Sequence, residues 1–213
     1  MYRVLVCCFL AFTTVADAAS LNTELVINGG AEAGDMSGWS PSGIEAVPGV
    51  GSSSGFGTFV FTGGTGLASQ SAIQSIDVSA NSALIDAGLG SSIFSINLQA
   101  RTDSVATDTA EVTESYLDAS DALIDSFSFA GTAQLVPDWD FFSDTRAIPS
   151  NTRSLAILLT TTRTVGLSSD GFFDEVSLQL TAVPVPAAVW LLGSGLCGLI
   201  GFARGNKSNA DLE

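Results

Sequence analysis

The sequence contains no histidine in its 213 residues. This absence excludes Ser-His-Asp and Cys-His catalytic machinery and any histidine-ligated zinc site. Cysteine is almost as scarce: Cys7, Cys8 and Cys197 all lie in apolar segments close to the chain ends. The long region between those segments therefore cannot be a disulfide scaffold. The catalytic route that is left is a pair of carboxylates, as in glycoside hydrolases, and no motif singles out such a pair.

Positive charge is the second shortage. The chain has seven Lys and Arg against 22 Asp and Glu, a formal net charge of −15. Between residues 19 and 182 the positive charges are four arginines: Arg101, Arg146, Arg153 and Arg163. We therefore predict no binding to nucleic acid or to anionic lipid headgroups, because both need a basic surface. Divalent cations and neutral polymers fit this surface better, although acidity also keeps an exported protein soluble.

The first 18 residues have the form of a secretory signal peptide. Arg3 precedes an apolar stretch, and Ala16-Asp17-Ala18 supplies the small residues that signal peptidase requires. We predict cleavage by signal peptidase between Ala18 and Ala19. A retained N-terminal anchor is the alternative, but the apolar stretch is short for a stable membrane span.

The other end of the chain carries a second targeting segment. Residues 187–203 form an apolar run of 17 residues without a charge, the lower limit for crossing a bilayer core of about 30 Å at about 1.5 Å per residue. Arg204 and Lys207 follow this predicted transmembrane helix, and the positive-inside bias would keep residues 205–213 in the cytoplasm. A buried core helix is the alternative, but the glycines of the run would weaken a soluble helix.

The segment before this helix reads Val-Pro-Val-Pro, and the helix begins Ala-Ala-Val-Trp-Leu-Leu-Gly-Ser-Gly-Leu. Residues 183–204 resemble the PEP-CTERM sorting signals of Gram-negative bacteria, in a variant of their Pro-Glu-Pro element. The resemblance implies a partner, the membrane transpeptidase exosortase, which removes the helix after transit through the inner membrane. It also implies delivery to the cell surface or extracellular matrix of a bacterium that makes exopolysaccharide. The residues that match the signal are Val183, Pro184, Val185, Pro186 and Arg204.

Between the two targeting segments, residues 19–182 have the pattern of one domain built from short strands. Apolar and polar residues alternate over 94–100 and over 175–180, the period of a half-buried strand. Together with turns rich in glycine, serine and aspartate, nine such segments predict an all-β antiparallel β-sandwich. A single helical turn is predicted from Ser82 to Ala87, ended by Gly88. Further strands are predicted near 23–28, 56–61, 70–78, 109–117, 123–129, 135–142 and 154–161.

Two motifs at the ends of this domain resemble those of a known sandwich. The segment 24–32, followed by Gly38-Trp39, and the segment 170–178 are similar to the first and last strands of galactose-binding-like jelly-roll domains. This is the architecture of many carbohydrate-binding modules. The resemblance implies a jelly-roll fold but leaves the function open, because the same sandwich serves sugar binders, adhesion modules and structural units.

The last predicted strand contains a carboxylate in an unusual position. Asp174 has the same parity as Val176 and Leu178, so alternation predicts that its side chain points towards the core. In the jelly-roll family, acidic residues of the first and last strands bind a structural calcium ion with backbone carbonyls, and the matching residues here are Glu32 and Asp174. Calcium prefers such oxygen ligands. The alternative is that Asp174 accepts backbone N–H groups at a strand end or turn.

Aromatic residues supply the candidate sugar contacts. Trp139 and Phe141 could stack on a pyranose ring, and Trp139, flanked by Asp138 and Asp140, is expected to be exposed. Trp39 is expected to pack in the core. Two acidic groups are expected to be solvated surface rather than metal sites: Asp103, Asp108, Glu111 and Glu114, and then Asp118, Asp121 and Asp125.

These observations predict an exported, non-enzymatic β-sandwich that is sorted to the cell surface or matrix and binds exopolysaccharide or contributes to a biofilm matrix. A purely structural or adhesive surface protein without a defined ligand is the first alternative. A carboxylate-dependent glycan hydrolase is the second.

Overall fold

Segments in which apolar and polar residues alternate form strands, and these strands assemble into two sheets that enclose a shared core. The computed structural model describes residues 21–49, 55–102, 107–135 and 138–183, and within them it shows eleven strands and one short α-helix. The helix, α1, spans Ser82–Asp86. The strands are β1 (Ser40–Ser42), β2 (Ile44–Pro48), β3 (Phe59–Gly63), β4 (Ser69–Asp77), β5 (Gly90–Arg101), β6 (Thr109–Leu117), β7 (Leu123–Ala130), β8 (Ala133–Gln134), β9 (Asp140–Ala147), β10 (Ser154–Thr162) and β11 (Gly171–Ala182).

The two sheets confirm the predicted antiparallel sandwich. One sheet has five strands in the order β1-β4-β10-β6-β7, and the other has six. In the six-stranded sheet the order runs β2-β3-β11-β5, and both β9 and β8 pair with β5. Among the described strands each pairing is antiparallel except that of β8 with β5. Strands β7 and β9 therefore form the edges of the two sheets on the same side of the sandwich.

The core forms from alternate residues of the central strands. On β5, Phe94, Ile96 and Leu98 are buried between the sheets, so the residues between them lie on the outer face. Trp39 is packed in the core, as predicted, and its ring meets that of Phe61 edge-on at a centroid distance of 5.5 Å. Burying side chains of this size contributes about 1.5–3 kcal/mol each.

Several predicted elements need correction. The segment 23–28 is not a strand: Glu24 makes only an isolated bridge to Gln179 of β11, and the chain turns at Asn28, which has a φ of 54°. The strand predicted at 135–142 is displaced: β9 begins only at Asp140 and continues to Ala147. The helical turn was placed correctly, and Gly88 ends it with a φ of 69°. Strands β1 and β2 were not predicted.

The predicted targeting segments lie outside the described residues, apart from Val183. These are the signal peptide with its cleavage site Ala18 and Ala19, the residues Pro184, Val185, Pro186 and Arg204 of the sorting motif, and the transmembrane helix. No helix within the described part of the chain is long and apolar enough to span a bilayer. The N–H of Val183 donates to the carbonyl of Leu89 directly after β11 ends.

Candidate functional site

A β-bulge in the last strand changes the direction of its side chains. In the pairing of β11 with β5, Asp174 lies opposite Asn97, but Ser177 lies opposite Ser95. Three steps along β11 therefore match two along β5, which is the signature of one inserted residue. Glu175, within the bulge, has a φ of 50°. Even-numbered residues of β11 therefore point to one face of the sheet before the bulge and to the other face after it.

The bulge places Asp174 on the outer face of the six-stranded sheet. Its partner Asn97 lies between the core residues Ile96 and Leu98, so both Asn97 and Asp174 face outward. The prediction that Asp174 points into the core was therefore wrong, because the alternation of apolar and polar residues does not reveal an inserted residue. The side chain is nevertheless 0% exposed.

The segment of residues 55–59 covers this carboxylate. The Oδ2 atom of Asp174 accepts the N–H of Phe56 at 2.8 Å, and its Oδ1 atom accepts the N–H of Glu175 at 2.7 Å. A Cβ atom at Gly55 would lie 1.9 Å from Oδ2. The absence of a side chain at Gly55 is thus what lets the backbone come this close.

Glu32 also binds the backbone of the segment of residues 55–59. Its Oε1 atom accepts the N–H groups of Thr58 at 2.8 Å and Phe59 at 2.9 Å. Both predicted calcium ligands, Glu32 and Asp174, therefore accept backbone N–H groups, which was the alternative considered for Asp174. Among the described residues, no group of three His, Cys, Asp or Glu side chains is placed to hold a metal ion. Calcium binding stays a prediction.

The surroundings of Asp174 are unfavourable for a negative charge. Burial raises the pKa of Asp174 to about 6, the two backbone N–H donors act in the opposite direction, and the neighbouring carboxylates of Glu175 and Glu32 raise it further. Gly30 lies between these groups, because a Cβ atom there would be 3.1 Å from Glu175 Oε1 and 3.6 Å from Asp174 Oδ1. We call Glu32, Asp174 and Glu175 the carboxylate cluster.

Aromatic side chains lie beside the carboxylate cluster. Phe56 is 59% exposed, and its ring meets that of the half-buried Trp139 at a centroid distance of 5.8 Å and an angle of 62°. Phe141 lies opposite Asn97 on the neighbouring strand and is 67% exposed. We call Phe56, Trp139 and Phe141 the aromatic face.

The strand register places the carboxylate cluster and the aromatic face close to each other. Asp174, Asn97 and Phe141 are successive partners across β11, β5 and β9 on the outer face of one sheet. Adjacent strands are about 4.8 Å apart, so about 10 Å separates the backbones at Asp174 and Phe141. Phe56 connects the groups directly, since its N–H binds Asp174 and its ring meets Trp139. Sequence analysis missed Phe56 because it assigned residues 56–61 to a strand, whereas β3 begins only at Phe59 and Phe56 lies in the loop before it.

The opposite face of β9 is organised differently. Phe142 stacks on Phe129 at 4.3 Å and on Phe127 at 5.5 Å between ring centroids, and the guanidinium carbon of Arg146 lies 3.7 Å from the Phe127 centroid. Arg146 also pairs with Asp144. We call these five residues the edge cluster. They close the sandwich where β7 and β9 face each other, and sequence analysis did not predict them.

Two acidic residues expected on the solvated surface are buried. Asp108 accepts the N–H groups of Thr164 and Asp170 at 3.0 and 2.8 Å. Glu114 is 2% exposed, and its Oε1 atom has no hydrogen-bond partner among the described residues. Burial raises the pKa of Glu114, while Ser92, Tyr116 and Arg146 act in the opposite direction. The sequence prediction for Asp108 and Glu114 was therefore wrong.

Comparison with known proteins supports the fold. No protein-family model matches the sequence, and no curated protein matches it. Among solved structures, the enzymatically active domain of tailspike protein 4 of bacteriophage CBA120 aligns over 75% of this chain with a TM-score of 0.51 and 15% identity. This chain covers 21% of that one. The likeness is one of fold.

Carbohydrate-binding modules are also similar to this chain. A module named Family 16 Carbohydrate Binding Module-2 aligns over 72% of this chain and 98% of its own length, with 19% identity and a TM-score of 0.49. The CBM22-1 xylan-binding domain of Paenibacillus barcinonensis Xyn10C aligns over 78% of this chain and 100% of its own, with 15% identity and a TM-score of 0.46. The chain is an all-β, two-sheet antiparallel sandwich that resembles carbohydrate-binding modules.

Proposed function

We propose that this protein binds polysaccharide through the aromatic face. The observation that carries the proposal is a pair of exposed rings: Phe141 on the outer face of β9, and Phe56 in the segment that covers Asp174, where its ring meets that of Trp139. The flat apolar faces of aromatic rings suit the C–H surfaces of pyranose rings. Phe141 lies on strand β9, and the segment that carries Phe56 is fixed by hydrogen bonds to Asp174 and Glu32, so less order has to be imposed on these rings when a ligand binds.

The carboxylates near the aromatic face support binding rather than hydrolysis. Glycoside hydrolysis needs two carboxyl groups that flank the scissile bond. Here Asp174 and Glu32 are engaged with backbone N–H groups of residues 56–59, and Asp174 is covered by that segment. Their contacts make them positioning residues for the loop that carries Phe56.

The cellular setting that we propose rests on the sequence alone. Residues 1–18 would direct export, and residues 183–204 would hold the protein in the inner membrane until exosortase delivers it to the surface or matrix. The end of β11 is compatible with such tethering. Ala182 lies eight residues beyond Asp174, about 26 Å along an extended strand. The aromatic face would therefore lie away from the point of attachment and be open to exopolysaccharide.

We also propose a structural calcium ion at Glu32 and Asp174. The support is the convergence of like charges around Gly30, since a cation would offset both the burial and the neighbouring charges that raise the pKa of Asp174. Thermal unfolding of the full chain in calcium and in chelator tests this. We expect a higher melting temperature in calcium and loss of that difference in Glu32→Gln; an identical melting temperature in both conditions would exclude the ion.

Equilibrium binding to polysaccharides tests the principal proposal. The full chain, purified in mild detergent, is titrated with soluble polysaccharides and compared with a Trp139→Ala, Phe141→Ala double variant. We expect saturable binding that the double variant loses. A folded wild-type protein without saturable binding to any polysaccharide tested would favour the alternative of a structural or adhesive protein, and release of reducing ends would favour a hydrolase.

A further inference from the structure

The exposed ionised groups that border the aromatic face are carboxylates. Asp138 is exposed and directly precedes Trp139, and its Oδ1 atom accepts the Trp139 N–H at 2.9 Å. Glu32 is exposed on the other side, where it binds the N–H of Thr58, two residues after Phe56. Each of the two rings in contact is thus carried by a segment whose backbone is bound by an exposed carboxylate, Asp138 for Trp139 and Glu32 for the segment of Phe56.

The arginines of the described region are engaged elsewhere. Arg153 pairs with Asp86 at 2.7 Å, Arg163 donates to the carbonyl of Leu167, and Arg146 belongs to the edge cluster. Arg101 is the nearest arginine along the outer face of β5, and its Nη1 atom lies 3.5 Å from Asp170. A polymer with carboxylate groups would meet like charges at the aromatic face and an arginine that already has a partner.

This combination of rings and charges favours a positively charged ligand. Carboxylates attract ammonium groups, and the faces of Trp and Phe also attract cations. A neutral sugar would gain the ring contacts and hydrogen bonds from its hydroxyls to the carboxylates, but it has no net charge for them to attract, and a uronate would be repelled. We infer that the aromatic face takes an amino-sugar polymer, whose ammonium groups pair with Asp138. This inference rests on the proposed polysaccharide binding and restricts the class of polysaccharide.

Two oligosaccharides that differ only in acetylation test the inference. A β-1,4-linked glucosamine oligomer and its N-acetylated counterpart share ring and linkage, but only the first is cationic at mildly acidic pH. An oligomer of galacturonic acid of equal length supplies the opposite charge. Each is titrated into the full chain by calorimetry. We expect the amino-sugar oligomer to bind roughly tenfold more tightly than the acetylated one, and added salt to reduce that ratio.

Matched variants separate local pairing from the general acidity of the protein. In Asp138→Asn the amide oxygen can still accept the Trp139 N–H, while the charge is gone. Asp121→Asn removes the same charge in the turn between β6 and β7, and asparagine suits the φ of 61° at that position. We expect Asp138→Asn to lower the ratio of the two affinities by about threefold and Asp121→Asn to leave it unchanged.

The outcomes separate this inference from the function on which it rests. Equal affinities for the amino-sugar and acetylated oligomers, or a preference for galacturonate, would overturn the inference and leave polysaccharide binding intact. An equal effect of Asp138→Asn and Asp121→Asn would also overturn it, because the attraction would then belong to the net charge. If none of the oligomers or longer polysaccharides binds to the folded protein, the proposed function itself fails.

Discussion

The two faces of β9 show how one strand serves both binding and stability. Phe142 is stacked among Phe127, Phe129 and Arg146, so its ring contacts are used within the protein. Phe141, the preceding residue, is 67% exposed and has its ring on the opposite face of the sheet. An aromatic residue in this sandwich therefore indicates a ligand only where its ring is exposed. Whether a ring on a strand is exposed depends on the face of the sheet to which its side chain points.

Two of the buried carboxylates, Asp174 and Glu114, show a similar contrast. Both oxygens of Asp174 accept backbone N–H groups, whereas Oε1 of Glu114 has no hydrogen-bond partner among the described residues. A buried acceptor costs about 1–3 kcal/mol when it is left without a donor. Asp174 is thus part of the structure that holds Phe56 in the aromatic face, while Glu114, behind the edge cluster, is buried without backbone N–H donors of this kind from the described part of the chain.

The largest effect is expected from Phe142→Ala. Removing this ring deletes the stacking with Phe127 and Phe129, and we expect unfolding free energy to fall by about 3 kcal/mol. Phe141→Ala, one residue earlier, should change stability by less than about 1 kcal/mol and instead weaken polysaccharide binding by roughly tenfold or more. Denaturant titration and calorimetric binding measure the two quantities. Equal stability losses in the two variants would contradict the contrast between the faces.

Gly55→Ala should disturb the aromatic face next most strongly. The added Cβ atom would lie 1.9 Å from Asp174 Oδ2 and 2.7 Å from a methyl group of Val60. Relief of this clash requires the segment that carries Phe56 to move, so we expect a loss of about 2 kcal/mol in stability together with weaker polysaccharide binding. Gly66→Ala is a control for destabilisation alone, since nothing lies within 4 Å of a Cβ there, while the φ of 107° strains any residue with a side chain. It should leave polysaccharide binding at the wild-type level.

The third prediction concerns pH. The pKa of Asp174 is about 6 in the folded protein, above its value of about 3.9 in an unfolded chain. The native state therefore binds more protons between these values, and its stability should fall by roughly 1–2 kcal/mol as pH rises from about 4 to about 6. When measured in the presence of chelator, Asp174→Asn should remove most of this decrease in stability. Melting temperature against pH measures it, and an unchanged profile in the variant would assign the pH dependence to other groups.

The smallest effect is expected at Glu114. In Glu114→Gln the carboxylate is replaced by an amide of the same shape, so the cost of burying a charge is removed. We expect stability near neutral pH to rise by up to about 1 kcal/mol, with polysaccharide binding unchanged. A stability loss above that amount would show that the charge is needed by Arg146 in the edge cluster.

Much of the sandwich could be predicted from alternation, because β5, β6 and β10 are long strands with regular periods. The sequence also pointed to Trp139 and Phe141, but Trp139 is half-buried where exposure was predicted, and Trp39 is packed as expected. The bulge at Glu175 could not be predicted, since a single inserted residue leaves no signal in composition and yet reverses the direction of Asp174. Phe56 and the edge cluster depend on contacts between distant strands, which periodicity within one strand does not encode.

Quenching of tryptophan fluorescence tests the central claim most directly. In a Trp190→Phe variant of the full chain, the remaining tryptophans are Trp39, which is buried in the core, and Trp139, on the aromatic face. Saturating polysaccharide should reduce acrylamide quenching of Trp139, while Trp39 contributes a constant background. If a polysaccharide binds saturably and leaves the quenching unchanged, the ligand does not cover the aromatic face.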